Sequence, residues 1–227
     1  MLTLAVIPAR GRSRGLPGKH LRLIGGEPMI ARTIRAALDA KRIDRVVVST
    51  DDPAIAGAAR DAGAEVPYLR PEELAADETP TFPVIDHAVR AVESDGEAVS
   101  VVVTLQPTSP LRTAEQIDAA VALLDPPRVR SVVSVTALDL PASVVGGLVG
   151  GRYRSIPMPP GTDTRRQGSP GAVRLTGAIY VTTRGLLAEG RLIDDAPAAL
   201  LTDASSAIDV DDAQDLRAAR RAVAGRR

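Results

Sequence analysis

Arg10, Gly11, Arg12, Ser13, Arg14, Gly15, Gly18 and Lys19 stand close together, directly behind the apolar run Leu2–Ile7. Glycines let backbone amides approach an anion closely, and clustered amides favour phosphate. Arginine and lysine add full positive charge and charge-assisted hydrogen bonds. Such a loop could cradle a triphosphate. The GxxxxGK[ST] pattern is absent, because His20 follows Lys19, and no GxGxxG argues for a dinucleotide. A solvated basic turn between strand and helix is the alternative reading.

Two further loops offer matching groups. Residues 70–82 bring Arg70, Thr79 and Thr81, and residues 106–112 bring Gln106, Thr108, Ser109 and Arg112. The Gln106 amide has two donors and an acceptor, which suits the edge of a base or a polar sugar. Asp209 and Asp211 alternate in the run Ile208–Asp211, and alternate residues of a strand share one face. Two carboxylates near a triphosphate ask for a hard divalent cation, Mg²⁺ foremost. Asp212, just before Ala213, suits a helix N-cap, and capping is the plain alternative for this acidic run. His20 sits beside the glycine loop and is a candidate contact to nucleotide or substrate. His87 falls within an amphipathic segment and is expected at a surface or interface. No Ser-His-Asp arrangement follows from the sequence order.

These loops need strands to bring them to one edge. Leu2–Ile7, Arg45–Ser49, Glu65–Leu69, Ser100–Leu105 and Ser131–Thr136 read as short buried strands. Between them lie amphipathic helices: one opening at Pro28, one from Ile55 to Ala62 closed by Gly63, one from Thr81, and one capped by Thr113 with Glu115 and Gln116 in its first turn. Asp52 is read as the cap of the second. Strand–helix alternation implies a three-layer α/β fold with a mostly parallel sheet, and ligands of such sheets bind at the strands' carboxyl ends. The rhythm breaks over residues 138–175, rich in Gly, Pro and Arg, with Gly146-Gly147 and Gly150-Gly151 suggesting hairpin turns. That segment reads as an irregular insertion that covers a site or meets a partner. Gly177–Val181 is a further strand, and a helix follows from Ala213 to about Ala224.

The 227 residues suit a single domain, 1–227, with a substantial core. The 28 basic and 28 acidic residues give no net charge to draw the molecule to nucleic acid or a membrane. Three Tyr, one Phe and no Trp leave little for base stacking. The lack of cysteine excludes disulfides, thiolate nucleophiles and Cys-bound zinc. No apolar run approaches a membrane span, and no signal core follows a basic start, so a cytoplasmic protein is the expectation.

Taken together, IPARGRSRGLPGKH (7–20), VVVSTDD (46–52), GAEVPYLRPEELAAD (63–77), LQPTSPLRTAEQID (105–118), RRQ (165–167), GAIYVT (177–182) and AIDVDDAQDL (207–216) resemble the acylneuraminate cytidylyltransferases. The resemblance runs almost end to end and implies a Rossmann-like nucleotidyltransferase fold. It implies that the hydroxyl of an acidic nine-carbon sugar, a nonulosonic acid, attacks the α-phosphorus of CTP and releases pyrophosphate. At matching positions, Ala9, Arg10, Gly11, Ser13, Lys19 and His20 would bind the nucleotide and its phosphates, with Arg70, Thr79 and Thr81 at cytosine and ribose. Gln106, Thr108 and Ser109 would face the sugar, with Arg165 and Gln167 nearby. Asp209 and Asp211 would hold Mg²⁺, and Arg10, Lys19 and Asp211 would carry catalysis. The resemblance also implies a homodimer whose insertion reaches the neighbour's site.

The sequence departs from that family's usual pattern at Arg12, at His20 (commonly Asn), at Glu78–Thr81 and at Leu175-Thr176. These departures point to an altered acceptor: another nonulosonic acid, or a different acid such as a phosphonate. A sugar-phosphate nucleotidylyltransferase would carry a GxGTRxxP-like loop, which is absent. A catalytically silent nucleotide binder on the same fold is the remaining alternative, opposed by the intact Lys19, Asp209 and Asp211.

Overall fold

The computed structural model describes residues 2–12, 15–158, 160–163, 165 and 170–225. In chain order, β1 (Leu2–Pro8) is followed by a short hairpin, β2 (Leu23–Ile24) and β3 (Glu27–Pro28), and by α1 (Met29–Leu38). Then come β4 (Arg45–Ser49), α2 (Pro53–Asp61), α3 (Thr81–Ser94), β5 (Val99–Leu105) and α4 (Ala114–Ala122). The second half holds β6 (Ser131–Pro141), β7 (Gly146–Val149), β8 (Arg152–Ser155), β9 (Gly171–Thr183), α5 (Arg184–Ala188), β10 (Ala198–Thr202) and α6 (Ala213–Ala224).

Six strands form one sheet in the order β10-β6-β9-β5-β1-β4. β1 runs parallel to β4 and β5, and β10 to β6, while β9 is antiparallel to both its neighbours. The sheet is therefore mostly parallel, as expected. Its strands are apolar on both faces because both faces are covered. Ala5 and Ile7 of β1 face Ile34 of α1, Ile55 of α2 and Ile117 of α4 in one core. Leu4 and Val6 face Ile85 and Val89 of α3 and Leu187 of α5 in another. Burying each such aliphatic side chain contributes about 1.5–3 kcal/mol. A third, smaller core ties Leu111 and Val210 to Ile24, Met29 and the apolar stripe of α6, Leu216, Ala219 and Val223.

Helix ends are fixed where the sequence placed caps. Asp52 accepts from the amides of Ala54 at 2.7 Å and Ile55 at 3.3 Å. Thr113 with Gln116, and Asp212 with Asp215, form reciprocal capping boxes on α4 and α6. Each such cap contributes about 1 kcal/mol.

Four expectations need correction. Residues 65–69 make only isolated bridges, Val47 with Glu65 and Thr50 with Leu69, because the chain touches the β4 edge and leaves it. Residues 138–175 are not irregular throughout. β6 and β9 continue past the sheet with Thr136 opposite Arg174 and Pro141 opposite Gly171, making a two-stranded arm. Gly146 and Gly147 lie in β7, and the turn falls at Gly150 and Gly151, both with positive φ. Asp209–Asp211 lie outside any strand, so strand alternation does not set their side chains.

Candidate active site

The register aligns Pro8 of β1 with Ser49 of β4, so loops from the ends of β1, β4 and β5 leave the same edge. They enclose a cleft of about 200 Å³. One wall carries Arg10, Lys19 and His20 from the glycine loop. A second carries Arg70, Thr79 and Thr81, and the floor carries Gln106 and Thr108. A groove of about 450 Å³, lined by Arg12, Asp51 and Glu72 among others, shares Arg70 and Ala76 with the cleft.

The end of β4 holds both walls. Ala9 N–H donates to the Ser49 carbonyl at 2.9 Å, and Gly11 N–H donates to Asp51 Oδ1 at 2.9 Å. Arg70 is buried. Its backbone amide donates to the Thr50 carbonyl at 2.7 Å, its Nε donates to Ser49 Oγ at 3.1 Å, and its Nη2 donates to the Ser49 carbonyl. Burial lowers the Arg70 pKa, an effect Asp51 opposes.

The acidic segment is fastened from two sides. Val210 N–H donates to the Thr108 carbonyl at 2.8 Å, so the segment is keyed to the loop behind β5. Lys19 Nζ donates to Asp211 Oδ1 at 3.0 Å. Gly15 packs so near Asp211 that an added Cβ would stand 2.5 Å from its carbonyl oxygen. Asp209 faces differently: its charge is felt at Arg112 and at Tyr180, whose hydroxyl pKa is raised by burial and then by Asp209. The two carboxylates thus have separate neighbours rather than one shared face. Arg112 is buried and donates through Nη2 to the Gln106 carbonyl, bracing the loop from within. Burial lowers its pKa to about 9, and Asp209 opposes the fall.

His20 is 4% exposed. Burial, then Lys19, Arg70 and Arg10, lower its pKa to about 3, with Asp51 opposing. It therefore stands in the cleft as a neutral imidazole. His87 is half-buried, and its ring stands edge-on to Tyr68 with centroids 4.6 Å apart.

The remaining calls divide. Ala9 is buried in the core, and its amide is engaged by Ser49. Thr79 Oγ1 donates to the Glu73 carbonyl. Ser109 is buried beneath the cleft, because a turn to the Gln106 carbonyl folds it inward. Arg165 is exposed and paired with Asp163 rather than joined to the cleft. Ser13 and Gln167 lie outside the described residues. Thr176, a departure expected to touch the acceptor, is instead buried and bonded to Ser134. Two acids beside the cleft had no site role in the sequence reading, where Asp51 shared with Asp52 only the plain role of a helix cap. Asp77 pairs with Arg10 at 2.5 Å, and Asp51 holds Gly11. Their signal was position: Asp51 stands two residues past the β4 end, and Asp77 closes the quoted segment 63–77.

Comparison with known proteins bears on what this cleft serves. The family model described as Cytidylyltransferase matches residues 4–144. The CMP-N,N'-diacetyllegionaminic acid synthase of Legionella pneumophila is 38% identical over 215 residues, covering 93% of this chain and 91% of that protein. The N-acylneuraminate cytidylyltransferase of Escherichia coli is 38% identical over 143 residues, covering 63% of this chain and 33% of that protein. A solved structure of CMP:2-keto-3-deoxy-manno-octonic acid synthetase complexed with CTP superimposes over the whole of both chains with a TM-score of 0.74 at 20% identity, a likeness of fold. With a family match over most of the chain and one relative aligned nearly end to end, this chain belongs to the cytidylyltransferase family of nucleotidyltransferases.

Proposed function

We propose that this chain transfers the cytidylyl group of CTP to a hydroxyl of a nonulosonic acid. The observation that carries the reading is the convergence of Arg10, Lys19, His20 and Arg70 on one cleft floored by Gln106 and Thr108. The relatives aligned with the chain are named for CMP-legionaminic, sialic and pseudaminic acid synthesis, which supports an acidic nine-carbon acceptor.

In the reaction, the acceptor oxygen attacks the α-phosphorus. The bond from that phosphorus to the oxygen bridging to the β-phosphorus breaks, pyrophosphate leaves with the electron pair, and the hydroxyl proton passes to solvent. The protein's part is positioning and charge neutralisation. Arg10 and Lys19 face the phosphates, with the amides of the glycine loop, and Ser13 belongs to the same loop. Arg70, Thr79 and Thr81 lie along the nucleoside side, and Gln106 and Thr108 along the acceptor side. Ser109, which is buried, and Arg165, which is paired with Asp163, would reach the acceptor only through a rearrangement on binding.

The donor set suits Mg²⁺. Asp211 is 72% exposed beyond its bond to Lys19 and offers hard carboxylate oxygens, while Asp209 acts on Arg112 and Tyr180 instead. Among the described residues no cluster of three acidic or imidazole ligands occurs. Mg²⁺ at a triphosphate is commonly held by one or two carboxylates together with the substrate phosphates. When bound, Mg²⁺ would neutralise phosphate charge.

The β6–β9 arm and the β7–β8 hairpin between its strands in sequence are proposed to meet a second copy of the chain, because Leu140 and Val173 of the first and Leu148 and Tyr153 of the second are exposed. No described helix is long and apolar enough to cross a membrane.

The test is pyrophosphate release with Mg²⁺, each of the four nucleoside triphosphates in turn, and a panel of nonulosonic acids and phosphonates. Release confined to CTP with a nonulosonic acid is expected. Release with CTP and a phosphonate alone would move the acceptor class, and CTP binding without release on any pair would support the silent binder.

A further inference from the structure

Asp51 and Asp52 are adjacent acids at one strand end, and the structure separates their duties. Asp52 Oδ1 is spent on the α2 amides of Ala54 and Ile55. Asp51 takes no part in that cap. Its Oδ1 reaches across forty residues of chain to the Gly11 amide at 2.9 Å. Gly11 sits tightly there: an added Cβ would lie 2.7 Å from Asp52 Oδ2 and 2.8 Å from Asp52 Cβ. The β4 end therefore grips the glycine loop by two amides, Ala9 on Ser49 and Gly11 on Asp51, and one of those grips is a side chain. The residues on either side of Gly11 are Arg10, which lines the cleft, and Arg12, which lines the adjoining groove with Asp51 itself. A shift of the Gly11 peptide would move both guanidinium groups.

We propose that Asp51 is a positioning residue for the nucleotide loop: its carboxylate clamps the Gly11 amide and so fixes where Arg10 and Arg12 present their charge. The proposal deepens the cytidylyltransferase reading and rests on it for what the loop binds. Asp51 touches no reacting atom. Its charge also acts on Arg70 and His20, which places it between the two walls it joins. As an anion near a triphosphate it would weaken nucleotide binding by charge alone. The clamp and the charge therefore push affinity in opposite directions, and two substitutions separate them. Asp51→Ala removes both. Asp51→Asn keeps an oxygen acceptor for the amide and removes the charge.

The clamp is read first in the free protein, by hydrogen exchange of the Gly11 amide followed by nuclear magnetic resonance. Exchange is expected to quicken about tenfold in Asp51→Ala, the loss of one hydrogen bond, and to stay within about threefold of wild type in Asp51→Asn. Calorimetry with CTP and Mg²⁺ should follow the same order. Asp51→Ala binds about tenfold more weakly, with a matching rise in KM for CTP and an unchanged KM for the acceptor, and Asp51→Asn restores the affinity. Unchanged Gly11 exchange in Asp51→Ala overturns the clamp, and quickened exchange there with a CTP affinity no weaker than that of Asp51→Asn overturns its purpose. If Asp51→Ala does not fold, Asp51→Asn decides, and a loss of affinity there equal to a tenfold effect overturns the proposal. Wild type that binds inorganic triphosphate but no CTP overturns the cytidine reading instead, and the clamp is then judged by triphosphate affinity in the same two variants. Wild type that binds neither overturns both.

Discussion

His20 should make folding stability depend on acidity in a way a single substitution removes. In the unfolded chain it titrates near 6.5, and in the folded chain near 3, because burial and then Lys19, Arg70 and Arg10 disfavour the imidazolium. For a base with a depressed folded value, the unfolded state binds the extra proton. Stability is then full above the ordinary histidine value, falls as pH drops through it, and levels off below the folded value. Between about pH 7.5 and about pH 5 the linkage removes about 2 kcal/mol, and in full about 5 kcal/mol. The assay is urea unfolding at both pH values for wild type and His20→Asn. All other groups titrate alike in the two proteins, so the pH-dependent loss should be about 2 kcal/mol smaller in His20→Asn. An equal loss in both would refute the reasoning, since it would mean that His20 is no harder to protonate in the fold than outside it.

Lys19→Met removes a charge from the cleft and releases Asp211, and kcat for pyrophosphate release should fall on the order of 10²–10³-fold; a fall under about threefold would count against a transition-state role. Asp211→Asn should raise the Mg²⁺ concentration needed for half-maximal rate by on the order of tenfold to a hundredfold, read by titrating activity with the metal. It should cost at most about 1 kcal/mol of stability, because the Lys19 pair is largely exposed on the Asp211 side. Leu148, 80% exposed on β7, gives the dimer test: Leu148→Asp should sediment as a monomer where wild type sediments as a dimer, with folding stability within about 0.5 kcal/mol.

What could be read from sequence followed from short-range physics. Asp52, Thr113 and Asp212 were legible as caps because a cap needs one side chain and the next three amides. The parallel strands were legible because burial on both faces writes an unbroken apolar run, as in Val46–Val48. Residues 65–69 misled because an apolar alternation at a sheet edge does not reveal how far pairing extends. The alternation of Asp209 and Asp211 misled for a related reason. A period of two has meaning only in a strand, and here the Val210 amide bonds to Thr108 while Lys19 takes Asp211. Gln106 and Thr108 were legible as cleft residues because the end of β5 carries them, whereas Arg70 reaches the cleft without a strand of its own, through its amide on the Thr50 carbonyl. Ser109 was not, since the turn that buries it depends on a hydrogen bond to Gln106 that sequence does not announce.

The substitution of His20 for the asparagine common in the resembling family looked at first like a change on the nucleotide side. The cleft argues otherwise. An asparagine amide is neutral and offers donors and an acceptor; a neutral imidazole offers one of each. A histidine exposed to solvent would share its site with a protonated form at mildly acid pH. Here three cations and near-complete burial hold that form off until about pH 3. His20 therefore keeps the charge of the residue it replaces and differs chiefly in shape and in the count of donors. Thr176 is likewise turned inward onto Ser134 and does not present itself to the acceptor. Two of the departures that suggested an altered acceptor thus leave the cleft's charge unchanged. Any change of acceptor must then come from the remaining ones: Arg12 beside the groove, Leu175, which is exposed on β9, and Glu78–Thr81, where Thr79 and Thr81 line the wall itself.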